Sequence, residues 1–195
     1  MGLDLDCFDL SADQVAAFKE NAKKYGVDSS ITQASWLEIP AKVAPKKYDF
    51  IMCRGNSFIY APGGWNSREY NQTSPLNSFR NTLKAFHTIL KCGGILYLDK
   101  FKDSEQEHHT NVCKIAIKEK TYDLIFHTQI NPATKERYAS MLLGNSDGEK
   151  ESMPNVTYAL SEIELSDLAK ETGFCSLEKI CLESDKMFDI YLLRK

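Results

Sequence analysis

No two of the six cysteines form a C-x-x-C pair; they are scattered at positions 7, 53, 92, 113, 175 and 181. His108-His109 has no second ligand pair at useful spacing, so no metal site is expected. Several of the cysteines lie in apolar, strand-like runs, which reads as reduced core thiols in a cytoplasmic protein. No apolar run reaches membrane-spanning length and no signal-peptide pattern opens the chain, so no membrane partner is expected. Basic residues are not in excess: the net charge is -3, which argues against a surface for nucleic-acid phosphates. Internal repeats and low-complexity segments are absent as well. What remains is an ordinary globular composition, 43% hydrophobic and 26% charged, over 195 residues that suit a single domain.

Residues 11–25 read as a helix. Ser11 and Gln14 match a capping box, Gly26 supplies the stop, and Val15, Phe18, Ala22 and Tyr25 share one face. A short strand is expected over 30–34 and another over 49–53. A loop over 61–71 with Trp65 and Tyr70 follows. Ser74-Pro75 opens a second helix with Leu76, Phe79, Leu83, Phe86 and Leu90 as its stripe, ended by Cys92-Gly93-Gly94. Ile95-Leu96-Tyr97-Leu98 is then a buried strand closed by Asp99-Lys100. Strand and helix alternating at these lengths predict an α/β, doubly wound and mostly parallel sheet. The second half differs. Residues 121–130 and 137–143 alternate with period two around Asn131-Pro132-Ala133-Thr134, predicting an antiparallel hairpin that caps the sheet. A polar loop over 145–154, a helix capped by Ser161 and Glu164 and ended by Gly173, and strands near 176–182 and 188–193 complete the chain.

The stretch around which this order turns is Tyr48 to Tyr60. Phe50-Ile51-Met52-Cys53 reads as a buried strand that stops at Arg54-Gly55-Asn56-Ser57, where a glycine lets a ligand approach the backbone. In open α/β sheets ligands sit beyond the carboxyl ends of the strands. The plain alternative is an ordinary strand-to-loop turn.

Four motifs, in order, carry a resemblance. They are Phe8-Asp9-Leu10-Ser11, Ala34-Ser35-Trp36-Leu37, Tyr48-Asp49-Phe50-Ile51 and Leu90-Lys91-Cys92-Gly93-Gly94-Ile95-Leu96. Together they resemble the class I S-adenosylmethionine-dependent methyltransferases over nearly the whole chain. Within that class, Cys53-Arg54-Gly55-Asn56-Ser57-Phe58 is similar to a stretch of the glycine N-methyltransferases and glycine/sarcosine methyltransferases. The resemblance implies a Rossmann-like sheet with an antiparallel C-terminal hairpin, and a substrate lid over residues 101–155. It implies S-adenosyl-L-methionine as cofactor and a small-molecule methyl acceptor, an amine nitrogen, as substrate; a homo-oligomer is compatible with it. It also fails at one place. The glycine-rich loop of the family is missing, because residues 2–7 look like the tip of a first strand and Phe8-Asp9 like the end of a second. A loop and helix are therefore expected to be missing between them, which would deprive the cofactor of backbone N–H donors.

The resemblance assigns cofactor contacts to Asp9, Leu10, Ser35, Trp36, Leu37, Arg54, Gly55 and Asn56, and a catalytic part to Asn56, Tyr60 and Tyr158. Each has a structural alternative. Asp9 would accept the ribose hydroxyls, or serve as the acid at a helix entry. Trp36 would flank adenine, or pack in the core. Asn56 would orient the substrate, or satisfy its own turn. The phenols of Tyr60 and Tyr158 would hydrogen-bond the acceptor or hold a methylated ammonium over their rings, or fill the core. Arg54 stands where the mammalian-type pattern has leucine. Lys100-Phe101 follows Asp99 where the glycine enzymes carry an arginine clamp, so glycine itself is not the expected acceptor. His108-His109 reads as exposed loop residues, and Lys114, Lys118 and Lys120 as a solvated face. The other readings are methylation of an oxygen or a larger acceptor, a methyltransferase-like binding module without catalysis, and a nucleotide-dependent oxidoreductase.

Overall fold

A computed structural model describes residues 4–63, 73–102, 107–117, 119–145, 148–180 and 188–195. The first sheet is a parallel pair, β1 (Cys7–Asp9) and β2 (Ile31–Gln33), with Cys7 opposite Ile31 and Asp9 opposite Gln33. Helix α1 (Ala12–Tyr25) connects them. Its sequence signals act as expected: the Ser11 side chain accepts from Gln14 N–H, and Gly26 closes the helix with φ 63°. Asp4 to Asp6 form no strand, and Cys7 belongs to the same strand as Phe8 and Asp9. Cys7 thus departs from the expected first-strand tip and joins the next strand, while Gly2 and Leu3 of that expected tip lie outside the described residues. The Asp6 carboxylate is instead drawn to Lys46 Nζ at 2.6 Å and the Tyr48 hydroxyl at 2.7 Å.

The second sheet has the order β3 (Tyr48–Cys53), β4 (Leu90–Phe101), β10 (Phe188–Arg194), β9 (Ser176–Ile180). Strands β3 and β4 run parallel, while β10 is antiparallel to both its neighbours. The expected mostly parallel sheet is thus only partly found: no ladder joins β1 to β3 among the described residues, and the terminal hairpin supplies two antiparallel pairings. Two short elements were not anticipated, α2 (Ile39–Val43) and a 3-10 turn, Ser57–Tyr60.

Helix α3 (Pro75–Ile89) buries Phe79, Leu83 and Phe86 against this sheet, each contributing roughly 1.5–3 kcal/mol on burial. It ends earlier than the glycines predicted. Leu90 turns to extended backbone and already pairs with Tyr48, so β4 runs through Cys92-Gly93-Gly94. Gly93 takes φ 76°, and a Cβ on Gly94 would lie 3.1 Å from the Tyr48 carbonyl. These glycines therefore serve a strand crossing rather than a helix stop. Helix α4 (Glu162–Glu171) has the full capping box of Ser161 and Glu164. Together α3, α4 and one face of the sheet enclose the main core, with Cys53, Leu96, Leu98, Tyr191 and Leu193 from the strands.

The third sheet is wholly antiparallel, β5 (Glu107–Ile117), β6 (Lys120–Ile130), β7 (Glu136–Asn145) and β8 (Gly148–Tyr158). The expected hairpin is its central pair. Strand β8 corrects the polar loop expected at 145–154, and β5 places His108-His109 on a strand, where the His109 ring stacks on His127 at 4.4 Å. The buried-strand expectation for β3 holds on one face only, since Phe50 is 47% and Met52 57% exposed. Of the cysteines, Cys53 is buried, whereas Cys92, Cys113 and Cys175 are exposed, contrary to the expected core positions. Trp65, Tyr70 and Cys181 lie outside the described residues.

Candidate active site

The carboxyl ends of β3 and β4 meet at one carboxylate. Asp99, 4% exposed, accepts the Gly55 N–H at 3.1 Å on one oxygen and the Asn56 N–H at 2.7 Å on the other. Both donors stand in left-handed backbone, Gly55 at φ 77° and Asn56 at φ 59°, which is why glycine and asparagine occupy these positions. A buried carboxylate is costly unless it is hydrogen-bonded, and two charge-assisted bonds offset that cost here. Asn56, itself buried, returns a bond to the same strand: its amide Oδ1 accepts the Phe101 N–H at 3.1 Å. Ser57 Oγ donates to the Arg54 carbonyl at 2.6 Å, and the Arg54 side chain is exposed. The residues of R-G-N-S thus form a rigid turn clamped to β4. Burial pushes the Cys53 thiol beneath it up to about 12, with the Asp99 charge adding to the effect.

A second group lies at the ends of β1 and β2. Asp9 Oδ1 accepts the Ser11 N–H at 2.7 Å, and the Asp9 carbonyl accepts the Ala34 N–H at 2.9 Å, which joins the two strand ends. The Ser35 N–H and hydroxyl both donate to Glu38 Oε2, at 2.8 and 2.7 Å. Leu10 and Leu37 are exposed. Trp36 is half-buried, edge-on to Phe86 with ring centroids 6.0 Å apart, and it packs against both hydrophobic clusters. The structure thus gathers Asp9, Leu10, Ser35, Trp36 and Leu37 in one place and Arg54, Gly55 and Asn56 in another.

The two tyrosines differ. Tyr60, half-buried on the 3-10 turn, has its hydroxyl pushed up to about 12 by burial, an effect opposed by the positive charge of Arg137. Tyr158, nearly buried, packs on Phe79 and donates to Glu164 Oε1 at 2.8 Å. Lys135 Nζ reaches the same oxygen at 2.7 Å. Burial pushes Glu164 up, but these partners and the two Ser161 donors outweigh it and hold the carboxyl below its usual range. The Tyr158 hydroxyl is therefore already engaged within the protein. A depression of about 610 Å³ lies on the third sheet, lined by Gln129, Ile130, Asn131, Pro132, Glu136, Tyr138 and Val156; none of the predicted site residues lines it.

Sequence reasoning missed Asp99 as the organiser and Arg137 altogether. The signal for Asp99 was present, an acid ending an apolar run as Asp9 does. Arg137 gave none, because an arginine opening an alternating strand reads as surface.

No family model matches the chain, and no curated protein matches it in sequence. Solved structures do match. An S-adenosylmethionine-dependent methyltransferase from Clostridium acetobutylicum superposes with a TM-score of 0.64 at 14% identity, over 97% of this chain and 74% of that one. CalS10 of Micromonospora echinaspora, an amino pentose methyltransferase of calicheamicin biosynthesis with S-adenosylmethionine bound, gives 0.66 at 11% identity, over 97% and 72%. KedS8, a sugar N-methyltransferase from Streptoalloteichus, gives 0.60 at 13%, over 97% and 70%. At these identities the likeness establishes the fold, that of S-adenosylmethionine-dependent methyltransferases, and does not single out the glycine N-methyltransferases.

Proposed function

We propose that this chain is a methyltransferase that uses S-adenosyl-L-methionine and transfers the methyl group to a small-molecule acceptor, at an amine nitrogen. The observation that carries the reading is the Asp99 clamp on Gly55 and Asn56, set at the carboxyl ends of two parallel strands in this fold. Two of the solved structures with the same fold act on amino sugars or sugar nitrogens by their names, which supports nitrogen as the acceptor atom.

The residues present fit part of the cofactor. One Asp9 oxygen is held by Ser11 N–H, which aims the carboxylate and leaves Oδ2 to accept ribose hydroxyls. Ser35, Trp36 and Leu37 follow directly on β2 and would flank the adenine, with Leu10 beside them. The backbone of Arg54 and Gly55 would border the remainder. The sequence has no G-x-G loop for the carboxylate end. When bound, the cofactor supplies an activated methyl carbon on a sulfonium.

What the chain must do is align an acceptor and exclude water. The amide Oδ1 of Asn56 is bound to Phe101 N–H, so the Asn56 Nδ2 donors are what an acceptor would meet. The phenol of Tyr60, its deprotonation opposed by burial, remains a hydrogen-bond donor across the physiological range. Tyr158 presents its ring more than its hydroxyl. A neutral amine needs no strong base, which matches a site without a His/Asp or Cys/His pair. Residues 101–155 would act as the lid.

Thermal melting with S-adenosylmethionine and S-adenosylhomocysteine tests the reading. A ligand that binds only the folded chain stabilises it by about 2.7 kcal/mol at a hundredfold excess over Kd, and a clear rise in Tm is expected. No shift at millimolar ligand sinks the proposal. A shift without turnover of any amine would favour a binding module, a reading to which the protein contacts of Asp9 and Trp36 lend weight.

A further inference from the structure

The depression on the third sheet has no part in the methyl-transfer reading. Its volume of about 610 Å³ lies within the range of pockets that hold small organic ligands, roughly 300–1,000 Å³. Gln129, Tyr138 and Val156 stand side by side across β6, β7 and β8 and form its floor. Side chains alternate along a strand, so this row leaves the sheet on the side opposite to Phe126 and Arg137, which both pack on Phe101. The depression is therefore separate from the turn that Asp99 holds. Pro132 of the turn after β6 closes one end, and Glu136, the first residue of β7, adds a carboxylate.

The rim is made of fixed groups. Asn131 Oδ1 accepts the N–H groups of Ala133 at 3.0 Å and Thr134 at 3.4 Å, and the Asn131 N–H donates to the Glu136 carbonyl at 2.8 Å. The Thr134 hydroxyl donates to Glu136 Oε2 at 3.2 Å, which orients the carboxylate and leaves Oε1 for a ligand. The basic residues on either side of Glu136 are directed elsewhere. Lys135 Nζ goes to Glu164 at 2.7 Å, and the Arg137 guanidinium lies over the Phe101 ring. The half-buried ring of Tyr138 has His127 edge-on beside it, with centroids 6.3 Å apart.

We infer that this depression is a second binding site, for a small organic cation: a protonated amine on an apolar body. The Glu136 carboxylate accepts the ammonium N–H in a charge-assisted bond, and the Tyr138 ring attracts the same charge through its π face. Val156 and Pro132 take the apolar part. One carboxylate on a largely apolar wall supplies too few oxygens for a divalent metal ion, and it repels anions. The inference does not depend on the methyltransferase reading, because the depression faces away from Phe101 and the residues that would meet the cofactor.

Titration of the full chain, followed by backbone amide chemical shifts without cofactor, tests this with two matched probe pairs: phenethylamine against 2-phenylethanol, and 3-methylbutylamine against 3-methylbutanol. Shifts are expected at Gln129, Tyr138 and Val156. At those residues the amine of at least one pair should bind about tenfold or more tightly than its neutral counterpart. Which pair shows the preference separates an aromatic from an aliphatic body. In Glu136→Gln, which keeps an acceptor for Thr134 but loses the charge, the preference should vanish. In Tyr138→Leu the amine should bind more weakly while the alcohol changes less. Equal binding within both pairs, no binding of any probe, shifts confined to Gly55 and Asn56, or a preference at the third sheet that survives Glu136→Gln overturns the inference. If Glu136→Gln does not fold, the wild-type preference and its drop in Tyr138→Leu decide.

Discussion

Removing the Asp99 carboxylate should be among the most damaging single changes in the chain, and its cost can be worked out from two hydrogen bonds. Each of the Gly55 and Asn56 N–H bonds goes to a charged, buried acceptor, and bonds of that kind contribute roughly 1.5–3 kcal/mol. Asp99→Ala deletes both and leaves the Gly55 and Asn56 N–H groups without their acceptor, the second of them in a buried residue. It should cost about 3–6 kcal/mol, a large fraction of the roughly 5–15 kcal/mol that a domain has in total. Asp99→Asn has the same shape but keeps only one acceptor oxygen, and its new NH2 group faces the other donor. It should cost roughly half as much. Urea denaturation of the wild type and both variants at pH 7, with the slope unchanged, gives the two numbers directly. A loss of less than about 1 kcal/mol in Asp99→Ala would refute the reasoning, since it would mean the turn holds without its carboxylate.

Two further outcomes are expected. Glu164 has a depressed carboxyl in the folded chain despite the opposing pull of burial, so its contribution to stability is complete above its unfolded value near 4.5 and is lost as pH falls through the lower folded value. Denaturation between pH 6 and pH 3 should show that decline, and Glu164→Gln should flatten it; an unchanged slope in the variant sinks the assignment. Leu83, fully buried between α3 and the sheet, should cost about 2–5 kcal/mol when cut to alanine, read from the shift in the urea midpoint.

The sequence was most legible where local chemistry decides the structure. Ser11 with Gln14, Gly26, and Ser161 with Glu164 marked two helices because a cap involves neighbours within one turn. The central strands of the third sheet showed because one of their faces is consistently apolar. Its outer strands did not: β8 carries Glu149, Lys150, Glu151 and Pro154, which read as loop, and β5 is broken by Asn111 and Lys114. Their pairing is imposed by the ladder to β6 and β7, which no local pattern reveals. The glycines at 93 and 94 misled for a similar reason, since what fixes them is a long-range pairing of β4 with Tyr48 and of Gly93 with Lys195. At the site, R-G-N-S announced the turn and Asp9 the strand end. Asp99 and Arg137 needed the fold, because each acts on residues more than thirty positions away.

The exposure of Phe50 and Met52 bears on how the site is held. A parallel strand is ordinarily covered on both faces, yet the side of β3 that carries these two residues is half open, while Cys53 on the other side packs under α3. The exposed pair therefore gives up part of the roughly 1.5–3 kcal/mol that each side chain would contribute if fully buried. Two-sided packing cannot be what fixes the end of β3. The fixing is polar and comes from one neighbour: Asp99 of β4 holds the turn, and Asn56 holds Phe101 at the end of β4 in return. Phe101 then carries the same constraint into the third sheet through Phe126 and the guanidinium of Arg137. Loosening Asp99 should consequently disturb not only the turn but also the packing of the third sheet on the end of β4, because Phe101 is the residue common to both.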